Sequence, residues 1–427
     1  MEKKEVNENV VKMDLSSVIA KKNEAAQFME DEITYIIKNF DKRDPGSQGE
    51  KDAVDYMAKQ LEEYCDEVVV EPFDVYPASF MSWIYISVTL VFLAMVTYFF
   101  MPIVSLVFGI VAMVIMVGQF FLYKRLVDKL FEKKTSYNIT AIKKPTGEVK
   151  RRLFYNGHPD AAYEWPMVYY FGGKAMGAHL VTVFLGIGYV FAVIIAAIIL
   201  RSNHIAGQAG VISVPTDIIN KLGFGALAFV PSFVGMFFFW NEKRVCDGAN
   251  DNLSGCYMGI AILKELKEAG IEMENTEVGV IITGSEEAGL RGAKAWAETH
   301  KGEYQDVDTF IYAYDTIRDL PELGVCTRDL NNIVKADERA CELFFNAAEK
   351  LGTPVKKTTV PLGSTDSAAF NQGGFRAAGI TALSHDLQKY YHTREDSYDN
   401  MDKECLATCF AISVQVLEDL ENEAKED

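Results

Sequence analysis

The sequence predicts an α/β protein: a mixed, mostly parallel sheet sandwiched by helices, with four transmembrane helices inserted as two hairpins. Three observations predict it. Short apolar runs rich in β-formers alternate with segments of helical spacing, the pattern of a sheet covered on both faces. Two long apolar stretches without a polar face break that alternation. Acidic and histidine residues follow several of the apolar runs, at the strand ends where such sheets bind ligands.

The elements can be justified in order. Residues 16–39 and 47–65 have helical patterns, the second beginning after the turn-forming DPGSQGE. Within it Val54, Met57, Ala58 and Leu61 recur at helical spacing. VVVEPF (68–73) alternates like an edge strand, and NITAIK (138–143) and RLFYNG (152–157) read as strands. SGCYMGIAILKELKEAG (254–270) is a helix with a glycine stop. VGVIITG (278–284), TFIYAY (309–314) and FRAAGITALS (375–384) are strands buried on both faces. Further helices are expected at 289–300, 335–351 and 403–423.

From Val75 to Tyr123 there is no Lys, Arg, Asp, Glu or His. About 20 apolar residues cross the hydrocarbon layer, so this stretch holds two spans, Trp83–Met101 and Ile103–Tyr123, with Pro102 at the turn. A second pair is expected at Ala178–Leu200 and Leu222–Trp240. The peptide framework is then divided into 1–78, 124–177 and 241–427, with hairpins at 79–123 and 178–240. Two hairpins return the chain to the side it left. That side carries Lys124, Arg125, Lys129, Lys133, Lys134, Lys174, Lys243 and Arg244, against Arg201 and Lys221 opposite. Basic residues accumulate on the cytoplasmic side, so the framework is expected on the cytoplasmic face of the lipid bilayer.

Composition excludes other classes. The net charge of -18 over 427 residues opposes nucleic acid binding, which needs a basic surface. Seven cysteines without a CxxC pair point away from a disulfide framework or a thiolate zinc site. The start of the chain has no apolar core of the length a secretion signal requires. Four spans without an intramembrane charge offer a transporter no ion path.

The chemistry lies in GHPD, GANDNLSG, TGSEEAGLRGA, YAYDT and YYHTRED. Zinc takes imidazole nitrogen and carboxylate oxygen, and two zinc ions can clamp the oxygens of a hydrolysis. Asp251, in a tight turn feeding a helix, suits a bridging carboxylate. His158 and Asp315 would complete one metal, Glu287 and His392 the other. Glu286, beside a ligand but diverging from it, can take a proton from the attacking water. Asp160 is placed to accept the other ring N–H of His158. Taken singly, each residue has a plainer reading: a structural histidine, a solvated helix start, a helix cap.

Together the motifs resemble the cocatalytic zinc peptidases of metallopeptidase family 28, over about residues 45–425 without the hairpins. The resemblance implies a zinc-peptidase αβα sandwich binding two Zn2+ ions. It implies His158, Asp251, Glu287, Asp315 and His392 as metal ligands, with Asp251 bridging and Glu286 as general base. It also implies that Tyr391 stabilises the tetrahedral oxyanion, and that peptides are the substrate. Family frequency favours an aminopeptidase. A carboxypeptidase would use one of Arg291, Arg318, Arg328 or Arg394, a glutaminyl cyclase-like enzyme would need one zinc, and a silent receptor or scaffold would have lost ligands. The sequence departs from the family at Pro159 and at AAYEW after it. A whole hairpin also separates His158 from Asp251, which places the chemistry near the bilayer.

Overall fold

The computed structural model describes residues 12–205, 216–384, 386 and 388–426. The chain divides into two units. One takes in the chain up to Pro77, Lys133–Tyr163 and the chain from Lys243 onward; the other comprises Ala78–Glu132 and Glu164–Glu242.

The first unit is built on a sheet. In chain order the strands are β1 (Glu67–Val75), β2 (Lys134–Lys143), β3 (Arg151–Gly157), β4 (Tyr163–Glu164), β5 (Asn241–Val245), β6 (Thr276–Thr283), β7 (Asp308–Ile317), β8 (Gly324–Asp329), β9 (Val334–Lys335), β10 (Lys356–Thr359) and β11 (Arg376–Ala382). β4 and β5 form their own two-stranded sheet. The other nine lie in the order β1-β2-β6-β3-β7-β11-β8-β10, with β9 on β8. β6, β3, β7 and β11 run parallel to one another. Buried on both faces, they are the continuous apolar runs of the sequence. β1 is the edge, where Pro72 removes no hydrogen bond that an interior strand would need.

Helices cover the sheet. Lys22–Asn39, Gln48–Tyr64, Ser254–Glu268 and Lys403–Glu426 contribute to one large core that includes Ile33, Leu61, Ile260 and Phe410. The expected helix at 16–39 is broken at Ala20–Lys21, leaving Ser16–Ile19 as a separate turn. Ser47 caps the helix at Gln48 by accepting the Glu50 amide. The strands β4, β5, β8, β9 and β10 and the short helices at Pro166–Phe171 and Asp366–Gln372 were not expected.

The second unit holds four helices long and apolar enough to cross a membrane: Ser79–Thr97, Pro102–Phe121, Gly173–Leu200 and Asp217–Met236. Each begins earlier than its sequence estimate, by one to five residues. The loop expected between the second pair lies largely outside the described residues. Pro102 starts a helix rather than sitting in a turn, which suits its fixed φ and missing N–H. The last span is a composite of helix, a 3₁₀ stretch at Ala226–Phe229, and a helix with proline in its first turn. Large apolar side chains such as Phe100, Ile103, Val114, Leu185 and Phe238 stand exposed on this unit, as lipid contact would require. Inside it the Ser87 hydroxyl donates to the Ala112 carbonyl at 3.1 Å. Ser79 and Gln119 both donate to the buried Asp128, at 2.8 and 3.1 Å.

One close approach sets the spacing of the first unit. Gly157 ends β3 against the start of the helix at Ser254, and a Cβ there would lie 2.3 Å from the Cys256 nitrogen. Gly157→Ala is therefore expected to cost about 1–3 kcal/mol or more by overpacking, read as a lowered unfolding temperature. Gly177→Ala, whose Cβ would meet nothing within 4 Å, is expected to be neutral in the same assay.

Candidate metal centre

The carboxyl ends of the parallel strands bring the acidic and histidine residues together. His158 directly follows β3, and Asp315 lies near the end of β7. Glu286 and Glu287 form a 3₁₀ turn after β6, between Ser285 and Leu290, which are both left-handed. Asp251 precedes the helix at Ser254, and the segment from Ala249 to Leu253 leaves helical geometry at Asp251 and Asn252. His392 comes from the loop after β11, at φ 49°.

Two groups of possible ligand atoms result, each with its atoms within 4.8 Å of one another: His158, Glu286 and Asp315, and Asp251, Glu287 and His392. Asp251 stands between the histidines. Its Oδ1 is 3.4 Å from His158 Nε2 and its Oδ2 is 3.1 Å from His392 Nε2. His392 Nε2 is also 3.4 Å from Glu287 Oε1. Glu286 Oε2 lies 3.8 Å from His158 Nε2. Tyr391 stacks on His392, with ring centroids 4.1 Å apart.

Asp160 does more than the sequence implied. His158 Nδ1 lies 3.2 Å from the Asp160 carbonyl and 3.4 Å from its carboxylate. The carboxylate accepts the backbone N–H groups of Glu286 and Glu287, at 3.0 and 2.9 Å. The reason is local: the turn after β6 aims two otherwise unsatisfied amides at one acceptor. Asp160 thereby fixes the turn bearing the acid pair as well as the imidazole.

Three carboxylates were missed. Asp396 accepts the amides of Asn250 and Asp251, at 2.8 and 3.1 Å, and so fixes the backbone of Asp251, which stands between the histidines. Glu50 accepts the Ser285 amide at 2.6 Å, the Ser136 hydroxyl at 3.0 Å and the Gly46 amide at 2.7 Å. Its signal was Ser47-x-x-Glu50, which reads as a capping box; the side chain instead reaches the turn before Glu286. Asp366 accepts the Thr283 hydroxyl at 2.5 Å, and its other oxygen is buried without a hydrogen bond. In sequence it is only an acid at a helix start.

Burial and crowding govern the charges. Burial, with neighbouring carboxylates, pushes Glu286 well above the ordinary carboxylate range. The same causes raise Glu287 to about 8 and Asp315 to about 7. Burial raises Glu50 to about 8. Burial opposes the charge on the histidines, but the acids around them prevail: Glu286, Asp160 and Asp251 hold His158 well above its usual value, and Glu287 and Asp251 bring His392 to about 9. Burial would raise Asp251, yet the two histidines hold it below the usual range. Carboxylates outnumber imidazoles here, so the centre is short of positive charge.

The residues fit zinc. Donors about 2.0–2.1 Å from one tetrahedral ion stand about 3.4 Å apart, close to the separations from Asp251 to both histidines and from His392 to Glu287. His158 Nε2 and Glu287 Oε1 are buried without a hydrogen bond, as unused ligand atoms would be. The acceptors at His158 Nδ1 favour a proton there and leave Nε2 its lone pair.

Fold and site define a class: the fold is that of zinc aminopeptidase structures. An aminopeptidase from Aneurinibacillus sp. strain AM-1 superposes with TM-score 0.54 at 14% identity, over 94% of this chain and 94% of that one. BSAP, a zinc aminopeptidase from Bacillus subtilis, gives 0.54 at 15% identity, over 92% and 95%. A glutaminyl cyclase from Tannerella forsythia gives 0.52 at 13% identity, over 93% and 98%. No curated protein sequence matches. The family signal is sharper: residues 235–417 match Peptidase family M28. The family match thus covers the part of the chain that starts at the end of the last apolar helix, and the fold is shared with these structures.

Metal removal should expose the charge imbalance. A carboxyl raised on folding stabilises the fold below its unfolded pKa, near 4, and that stability is lost as pH rises through the folded value. Glu50, Glu287 and Asp315 all act in this sense, and the raised histidines reinforce it. Chelated protein is therefore expected to unfold more easily as pH rises from about 4 to 8. Zinc, which binds the deprotonated ligands, should oppose the trend, as calorimetry across that range would reveal.

Proposed function

We propose that the protein is a membrane-anchored di-zinc exopeptidase of family M28, acting as an aminopeptidase. The observation that carries this reading is the position of Asp251, one carboxylate oxygen toward each histidine and the acid pair alongside. His158 and Asp315 would hold one zinc, His392 and Glu287 the other, and Asp251 both. Bound there, zinc supplies Lewis acidity toward the scissile carbonyl and the attacking water.

The chain's own residues do the rest. Glu286 takes a proton from the attacking water as its oxygen bonds to the carbonyl carbon. It then delivers that proton to the leaving nitrogen as the C–N bond breaks. Burial and the surrounding acids keep the Tyr391 phenol protonated, so it can donate to the tetrahedral oxyanion.

Three of the four arginines that could serve a carboxypeptidase are already engaged or buried, which favours an aminopeptidase. Arg318 donates to Asn400 and Asp319, Arg328 donates to the Asn332 carbonyl, and Arg291 is buried.

Two experiments test the reading. A peptide library digested by detergent-purified protein should lose residues from amino termini, and chelator should stop this. Trimming from carboxyl termini would refute the aminopeptidase assignment. Glu286→Gln should retain zinc while turnover falls about 10²–10⁴-fold; a fully active variant would refute the mechanism.

The four apolar helices support anchoring, and the distribution of basic residues supports a cytoplasmic catalytic unit. Cys326 and Cys341 are buried, so these two thiols are poor reporters of this orientation, and the half-buried Cys65 is replaced by serine in the labelling background. The exposed Lys59 is better placed. Lys59→Cys should resist a membrane-impermeant maleimide in intact cells and react once they are permeabilised. Labelling in intact cells would reverse the orientation.

A further inference from the structure

Arg43 is 2% exposed, and its hydrogen bonds run to backbone carbonyls. Nε donates to the Pro159 carbonyl at 2.7 Å. Nη2 donates to the carbonyls of Asp247 and Gly248, at 2.6 and 3.2 Å. Its own carbonyl accepts the Ala161 amide at 2.9 Å. Pro159 lies next to His158; Asp247 and Gly248 lie just before Asp251. One residue thus grips both of these ligand-bearing loops.

The neighbouring contacts converge on the same place. The Cys246 amide donates to the Ala162 carbonyl at 2.9 Å, so the two loops also pair directly. Lys42 pairs with the Asp247 carboxylate, which accepts the Ser397 hydroxyl at 2.5 Å. Burial holds the Arg43 guanidinium below its usual value, and the nearby carboxylates of Asp247, Asp396 and Asp160 offset that cost only in part. Gly248 has φ +60°, and a Cβ there would lie 3.0 Å from Arg43 Nη2 and 2.6 Å from the Asp251 carbonyl oxygen. Glycine is what lets the guanidinium close on this loop.

These loops are also the two stems of the apolar insertion, which leaves after Tyr163 and returns at Lys243. His158 and Asp251 are therefore far apart along the chain although 3.4 Å separates their ligand atoms. Burying a guanidinium is expensive, and its rigid planar fork holds carbonyls on two segments in a fixed geometry that a flexible ammonium does not reproduce.

We propose that Arg43 is a positioning residue for the zinc centre. It locks the stems of the insertion together, so that His158 and Asp251 keep the separation metal binding needs. This rests on the di-zinc reading above, which wild-type zinc content tests independently.

Arg43→Lys and Arg43→Met should be compared with wild type for zinc affinity by chelator competition, for kcat and KM, and for unfolding temperature with and without zinc. Wild type should load two zinc ions. Both variants should bind zinc about 10–100-fold more weakly, with kcat reduced and KM little changed. Arg43→Lys keeps the buried cation and should unfold like wild type when both are zinc-free. If Arg43→Met does not fold, Arg43→Lys decides the matter. Wild-type zinc affinity in folded Arg43→Lys would overturn the proposal. So would a loss of zinc-free stability equal to the zinc-loaded loss, which would make Arg43 merely structural. A wild-type protein that takes up no zinc would sink the di-zinc reading instead.

Discussion

The structure depends on one electrostatic constraint: more buried and half-buried carboxylates than the neighbouring cations can neutralise, gathered where parallel strands end. Asp160, Asp251, Glu286, Glu287, Asp315 and Asp366 surround two imidazoles. An unpaired buried charge is costly, and protonation or a bound cation must relieve it. The raised values of Glu286, Glu287 and Asp315 are the protonation answer. Divalent metal is the other, and it alone leaves the acids ionised to act as ligands. The function and the cost of the fold thus share one origin.

The sheet makes that crowding possible. β6, β3, β7 and β11 are adjacent and parallel, so chain segments far apart in sequence deliver side chains to one edge. A second layer then fixes the loops. Glu50 holds the turn before Glu286, Asp160 holds the turn itself, and Asp396 holds the approach to Asp251. Each is a carboxylate accepting backbone amides. The anions that complete the site also satisfy the exposed donors of its turns.

The sequence revealed what is locally coded. Central strands were legible because burial on both faces leaves an unbroken apolar run, as in VGVIITG and TFIYAY. β8 and β10 were not, since GVCTRD and KKTT lack that run and owe their strand state to neighbours. The acid and histidine positions stood out by adjacency to strand ends. Glu50, Asp396 and Arg43 were hidden for the opposite reason. Their partners are backbone groups more than a hundred residues away, and nothing near them in sequence announces the contact. Asp160 lay between these cases: the sequence suggested a tie to His158, where the backbone carbonyl makes the closer approach to Nδ1, and its grip on the Glu286 and Glu287 amides was not legible.

The grip of Asp396 on the Asp251 amide has a temporal corollary. A polypeptide grows from its amino end, so both apolar hairpins are translated before Asp396 and His392 exist. Until those late residues emerge, Asp251 lacks one of its two imidazoles and the anchor of its own backbone. On the reading proposed above, a nascent chain has all of its long apolar helices before its metal centre can be completed.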